Sequence, residues 1–332
     1  MAIENYFHLL PGKQFKKLET REDVIKALSL KGFVWIDLES PDLQSLTHWQ
    51  EPLQLFQMSI DDCMDDNHLQ KINEFPNYTF ISFNEHLFEK KILIQREINF
   101  FIGKNFLLTV HFSEPENYFF KRLDTEIMFK KSYTTDSPDF LLHSIMDYIV
   151  DSKLEVIEKI EDEVGRMEDE ILASGNKAKS SELLELRRQI IFLRKDILRE
   201  REIMIKICHN NQTHISKKSL FHFRELYDHV FRLCESIEVC REMNTSLMEL
   251  YLSQISIKIS NSANQTNMVM RRLTVLMTIF SPLAVLTGFF GMSEWTMITG
   301  SENWQASFPI FFIAMCTIGA ANYLLLRKWH WT

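Results

Sequence analysis

Leu273–Phe290 reads LTVLMTIFSPLAVLTGFF, and Phe308–Leu326 reads FPIFFIAMCTIGAANYLLL. Neither run carries a charge. At eighteen and nineteen residues, each is long enough for a helix to cross about 30 Å of hydrocarbon. A buried helical hairpin in a soluble core is the competing reading, but two adjacent charge-free runs of this length are uncommon there. Arg271 and Arg272 precede the first run, and Arg327 and Lys328 follow the second. The intervening residues 291–307 hold Glu294 and Glu302 but no Lys or Arg. The positive-inside rule then puts both termini in the cytoplasm and the connecting loop outside, in a plasma (inner) membrane. Trp295, Trp304 and Trp329 fall near the expected interfaces, where amphipathic indoles are favoured.

Outward from these runs the character changes. Between Pro138 and Pro282 there is no proline, and Leu, Ile and Met recur every three or four residues among charges. Leu154, Ile157, Ile160 and Val164 mark an apolar stripe on a helix that breaks near Gly175. A second helix is expected from Ser180 toward Cys208, with a turn at Asn210–Asn211. A third begins near Leu220 and has no stop before Pro282, which makes it far longer than an ordinary globular helix. Before Pro138, prolines recur and short aromatic or β-branched runs have strand character: Phe33–Ile36, Tyr78–Phe83, Ile92–Ile94 and Phe106–Val110. Glu22–Leu28 has helical character.

The resulting division is an α/β domain over 1–138, a helical hairpin over 139–218 and a stalk helix over 219–290. The stalk becomes the first span at about 273–290; an outer loop (291–307), a second span (308–326) and a basic tail (327–332) follow.

Composition narrows the function. A net charge of −8 argues against nucleic acid, whose phosphates require a basic face. No GxxxxGK[ST] segment is present to hold a nucleotide, and neither HExxH nor paired Cys/His spacing suggests catalysis. The five cysteines are scattered, as expected for reduced cytoplasmic thiols, and the N-terminus has no signal-peptide pattern. The acidic run Asp61-Asp62-Cys63-Met64-Asp65-Asp66 could attract cations or be a solvated turn. His68 and His209 read as incidental.

The run NQTNMVMRRLTVLMTIFSPL (264–283), followed by Gly288-Phe-Phe-Gly291-Met292-Ser293, resembles the pore helix of the CorA family of divalent-cation channels. Asp37, Asp61-Asp62 and Tyr227-Asp228-His229 also lie in family-like surroundings, so the resemblance covers nearly the whole chain. It implies a CorA-like homopentameric funnel: an α/β cytoplasmic domain, a long helical stalk and two C-terminal transmembrane helices. It implies passive passage of Mg²⁺, or of Co²⁺ or Ni²⁺, gated by cytoplasmic divalent cation. Three positions depart from the family pattern: Phe290 replaces Tyr, Ser293 replaces Asn, and Ala284 stands where a pore-facing Thr is usual. In the family the Asn ring greets the hydrated ion through its water shell, which suits Mg²⁺ because it dehydrates reluctantly. A Ser hydroxyl also accepts hydrogen bonds from water but lacks the amide's reach.

The resemblance also places Asn267, Met270 and Leu273 toward the pore, with Met270 and Leu273 as dry collars. It assigns regulatory metal to Asp61 and Asp62 opposite Glu225 of the neighbour, with Asp147 as a further ligand. A zinc transporter of the ZntB kind shares this architecture but usually carries Gly-Ile-Asn at the mouth. A non-conducting membrane-anchored helical scaffold is the third reading. The membrane potential can drive inward flux, at about 4.6 kcal/mol per 100 mV for a divalent ion.

Overall fold

The computed structural model describes residues 3–10, 16–65, 69–112, 137–174, 180–209, 213–291 and 304–328. The chain divides into two compact units, residues 1–250 and 251–332. Unit 1 combines a sheet with the helices that cover it, so the expected α/β domain and helical hairpin pack around one interior.

Seven strands make one sheet: β1 (Ile3–Leu9), β2 (Lys16–Leu18), β3 (Phe33–Glu39), β4 (Ile72–Glu74), β5 (Tyr78–Glu89), β6 (Ile92–Gly103) and β7 (Phe106–His111). Their order is β2-β1-β3-β7-β6-β5-β4. The central β3–β7 pair is parallel and the other pairs are antiparallel. The four strand-like runs of the sequence fall in β3, β5, β6 and β7. Strands β1, β2 and β4 lie outside those runs: β2 and β4 are three-residue edge strands too short to show alternation, and only the last four residues of β1 are buried.

Every residue of β3 is buried, as a strand covered on both faces must be. On one face Val34, Ile36, Leu38, Leu108, Val110, Phe80 and Phe101 form a core with Leu46, Trp49, Leu53 and Ile60. Those last four come from short helices and the residues between them: α2 (Leu43–Thr47), α3 (Gln50–Leu53) and α4 (Gln57–Met64). The helix α1 (Arg21–Leu28) adds Val24 and Ala27, and Thr20 caps it by accepting from the Asp23 amide. Gly32 has φ +100°, and a Cβ there would meet the Leu9 carbonyl oxygen at 2.1 Å, so only glycine fits this turn into β3.

Two long helices lie wholly within unit 1, α5 (Pro138–Ser174) and α6 (Ser180–His209). The expected break at Gly175 and the turn at Asn210–Asn211 lie outside the described residues. α5 packs on β5, β6, β7 and β3. Its apolar stripe differs from the expected one. Ile157, Ile160 and Val164 are buried, but Leu154 is 44% exposed, and Lys153 is buried completely. At about 100° per residue, Lys153 lies on the line of Ile157, Ile160 and Val164, while Leu154 lies well off it. The Lys153 ammonium is held by Glu200 Oε2 at 2.5 Å and sits 4.3 Å above the Phe83 ring. Glu200 also accepts from Gln70 Nε2 and the Asn84 amide, and Asp196 one turn earlier accepts from Asn84 Nδ2. His86 Nε2 lies 3.1 Å from the same Asp196, and burial holds the imidazole pKa down.

The 72-residue helix α7 (Ser219–Phe290) runs from unit 1 into unit 2 and continues through Pro282. α8 (Trp304–Lys328) is the other helix among the described residues of unit 2. Both contain a window long and apolar enough to cross a membrane, and those windows are 0% and 6% buried within the chain. A soluble core helix would bury them. The exposure of Leu276, Phe280, Val285, Ile310 and Phe312 is what lipid or further copies would cover.

Candidate metal and pore sites

α4 holds the first acidic pair. Its start is fastened by Tyr78, whose hydroxyl accepts from the Phe56 amide at 3.1 Å and lies 2.5 Å from the Ser59 hydroxyl. Ile60 and Cys63 face inward and are buried, which turns the intervening carboxylates away from the core. Burial pushes the Cys63 thiol well above the ordinary range, leaving it unreactive. Asp61 is exposed and accepts from Gln57 Nε2 at 2.8 Å. Asp62 is bound by the Lys71 ammonium at 2.6 Å. A cation at Asp62 must therefore compete with Lys71, which sequence spacing did not reveal. Asp66 and His68 lie outside the described residues.

A second group forms where α5 faces α7. Asp147, Asp151 and His229 each offer a ligand atom, all within 4.8 Å of one another. His229 Nδ1 is 3.7 Å from Asp147 Oδ1. Two carboxylates one helical turn apart, meeting an imidazole, make a donor set for a divalent ion, and the imidazole suits transition metals. Asp151 and His229 also line a cleft of about 270 Å³ with Val150, Leu154, Arg232, Leu233 and Ser236.

One turn before Asp147 on α5 and about two turns before His229 on α7, His143 Nε2 donates to the His222 carbonyl at 3.1 Å and packs edge-on against Phe223. Burial, reinforced by the neighbouring His222, lowers the His143 pKa to about 4. Glu225 is exposed on α7, one turn before His229.

The structure thus brings Asp147 together with Asp151 and His229, and leaves Asp61 and Asp62 on α4 outside that cluster. Asp151 was missed, although its four-residue spacing from Asp147 was a legible signal. His229 stood only in a family-like stretch, without a role. Asp37 is structural: it accepts from Thr109 Oγ1 and lies 3.2 Å from His111 Nε2, all three being buried. Burial lowers the affinity of His111 for a proton, but the Asp37 carboxylate outweighs it and the net shift is upward.

In unit 2, Asn267, Met270 and Leu273 are exposed on α7. The helix closes with the Gly291 amide donating to the Thr287 carbonyl at 3.0 Å. Met292 and Ser293 lie outside the described residues.

Comparison with known proteins adds to this geometry. The family described as "CorA-like Mg2+ transporter protein" matches residues 30–328. The "Cobalt/magnesium transport protein CorA" of Thermotoga maritima is 28% identical over 275 residues, covering 82% of this chain and 75% of the relative. The complete structure of the CorA magnesium transporter from Methanocaldococcus jannaschii superposes with a TM-score of 0.70 at 22% identity, covering 99% of each chain. The ZntB cytoplasmic domain from Vibrio parahaemolyticus gives 0.57 at 12% identity, covering 77% of this chain and 98% of that one, and shares the fold alone. Since the family match runs through both the sheet unit and the two apolar helices, this chain belongs to the CorA-like Mg²⁺ transporter family and is a divalent-cation transporter, not an enzyme.

Proposed function

We propose that this chain forms a homopentameric channel that lets Mg²⁺ flow inward along the membrane potential and closes when cytoplasmic divalent cation is plentiful. The observation that carries this reading is α7, one uninterrupted helix joining an acid-bearing unit to a charge-free, unburied span. Such a helix can transmit a change at its cytoplasmic part to a pore. Five copies of the span would line the passage with Asn267 as a polar rung and Met270 and Leu273 as apolar collars that stay dry when closed. Gly291, Met292 and Ser293 would form the outer mouth, where the hydroxyl receives the hydrated ion.

On the cytoplasmic side, Asp61 and Asp62 of one subunit would share a cation with Glu225 of the partner subunit. Asp147, with Asp151 and His229, would hold another. Occupancy would clamp the closed state only through its difference in affinity between closed and open forms.

The test is uptake of Mg²⁺, Co²⁺ and Zn²⁺ into liposomes containing the purified chain, with and without a proton gradient. Mg²⁺ entry that grows with inside-negative potential and ignores the proton gradient is expected. Zn²⁺ entry that follows the proton gradient would favour the zinc reading instead, and absence of any flux would leave the scaffold.

A further inference from the structure

Of the hydroxyl side chains in the first span, Thr274, Thr278 and Thr287 bond back to carbonyls of their own helix, at 2.8, 2.8 and 3.0 Å for Met270, Thr274 and Leu283 respectively. Ser281 does not, and it is exposed. The next residue, Pro282, carries no N–H, so the Thr278 carbonyl lacks the amide donor that a helix normally supplies four residues on. The Thr278 hydroxyl is already committed to Thr274. One residue step thus leaves an exposed hydroxyl and a carbonyl without its usual amide donor near the middle of the run Leu273–Phe290.

Hydrocarbon tolerates neither, since polar atoms at that depth persist only against protein or water. Their direction round the helix is informative. At about 100° per residue, Ser281 lies about 20° from the line of Met270 and about 40° from that of Asn267. The stripe proposed to line the pore is therefore the one on which the midspan turns polar.

Resting on that pore reading, we propose that Ser281 and the Thr278 carbonyl form a midspan resting site for the permeating divalent cation, about 12 Å beyond the Leu273 collar. Oxygen donors of this kind are what a hard cation selects, and both can accept hydrogen bonds from its retained water. A ring of them gives the ion a place to pause after the dry collars without a fixed charge that would trap it. Conduction needs sites that bind well enough to enter and weakly enough to leave.

The experiment uses the full chain in liposomes, in a Cys316→Ala background, with a water-soluble methanethiosulfonate reagent. Ser281→Cys should be modified, read by peptide mass, and its Mg²⁺ uptake should fall on modification. Leu283→Cys, on the opposite side of the helix, should remain unmodified. Ser281→Ala should lower uptake about fivefold, the worth of one hydrogen bond of about 1 kcal/mol, while Ser281→Thr should retain most of it. Unmodified Ser281→Cys, or Ser281→Ala with full uptake, overturns the proposal. Modification is read by mass, independently of flux. A chain that transports nothing would therefore overturn the proposed function, while labelling at position 281 still decides whether water reaches this rung.

Discussion

Lys153 places an ammonium inside unit 1, where burial lowers its proton affinity and Glu200, in direct contact, is the largest opposing influence. Burial raises the Glu200 pKa to about 7, with the Lys153 charge opposing that rise. Removing one member of such a pair strands the other. Lys153→Met should destabilise the protein by about 3–5 kcal/mol in chemical denaturation. Combining it with Glu200→Gln should recover much of that loss, because the amide leaves no stranded charge. Equal losses in the single and double variants would mean the pair contributes packing alone. Asp62 offers a second residue-scale test. Since Lys71 already neutralises it at 2.6 Å, Lys71→Gln should tighten divalent binding at this carboxylate, and Asp62→Asn should weaken it. Mg²⁺ titration of protease protection reads both. Protection that neither change moves would remove Asp62 from the regulatory site.

At the scale of elements, the α5–α7 seam has a pH dependence whose sign follows from His143. Its folded pKa is lowered to about 4 from an ordinary 6.5, so between those values the unfolded chain binds the proton and the folded chain does not. Stability from this group is complete above pH 6.5 and is lost as pH falls toward 4. The loss should reach roughly 3 kcal/mol at full development. His143→Gln keeps a donor for the His222 carbonyl but does not titrate. The difference in unfolding free energy between wild type and variant should shrink across this window as pH falls. A difference constant from pH 7 to pH 4 would show that His143 is not held neutral. The β5–β6 turn is a second local feature: Lys90 and Lys91 have φ of +50° and +69°, as a two-residue hairpin loop requires, although neither residue favours that region. Lys91 is held by Glu163 at 3.0 Å, and its carbonyl accepts from Gln189, so α5 and α6 fix the loop.

For the whole molecule, the unburied apolar runs require further cover. Cross-linking in liposomes should yield a ladder ending at five copies, and a ladder ending at two would rule out the proposed pentamer. Glu302→Cys should react with an impermeant thiol reagent only from outside. Reaction from the cytoplasmic side alone would reverse the topology drawn from Arg271, Arg272, Arg327 and Lys328.

The sequence by itself determined the two membrane-grade helices, the long helix leading into the first, and strands β3, β5, β6 and β7 of the sheet. Each rests on apolar spacing within a few residues, and local chain geometry reads that spacing directly. Tertiary structure alone decided that Lys153 rather than Leu154 occupies the core line of α5, and that Asp62 meets Lys71. It likewise decided that Asp147 and Asp151 meet His229. These depend on how separate elements register against one another. That register is set by packing summed over the whole interior, so no short stretch of the chain contains it.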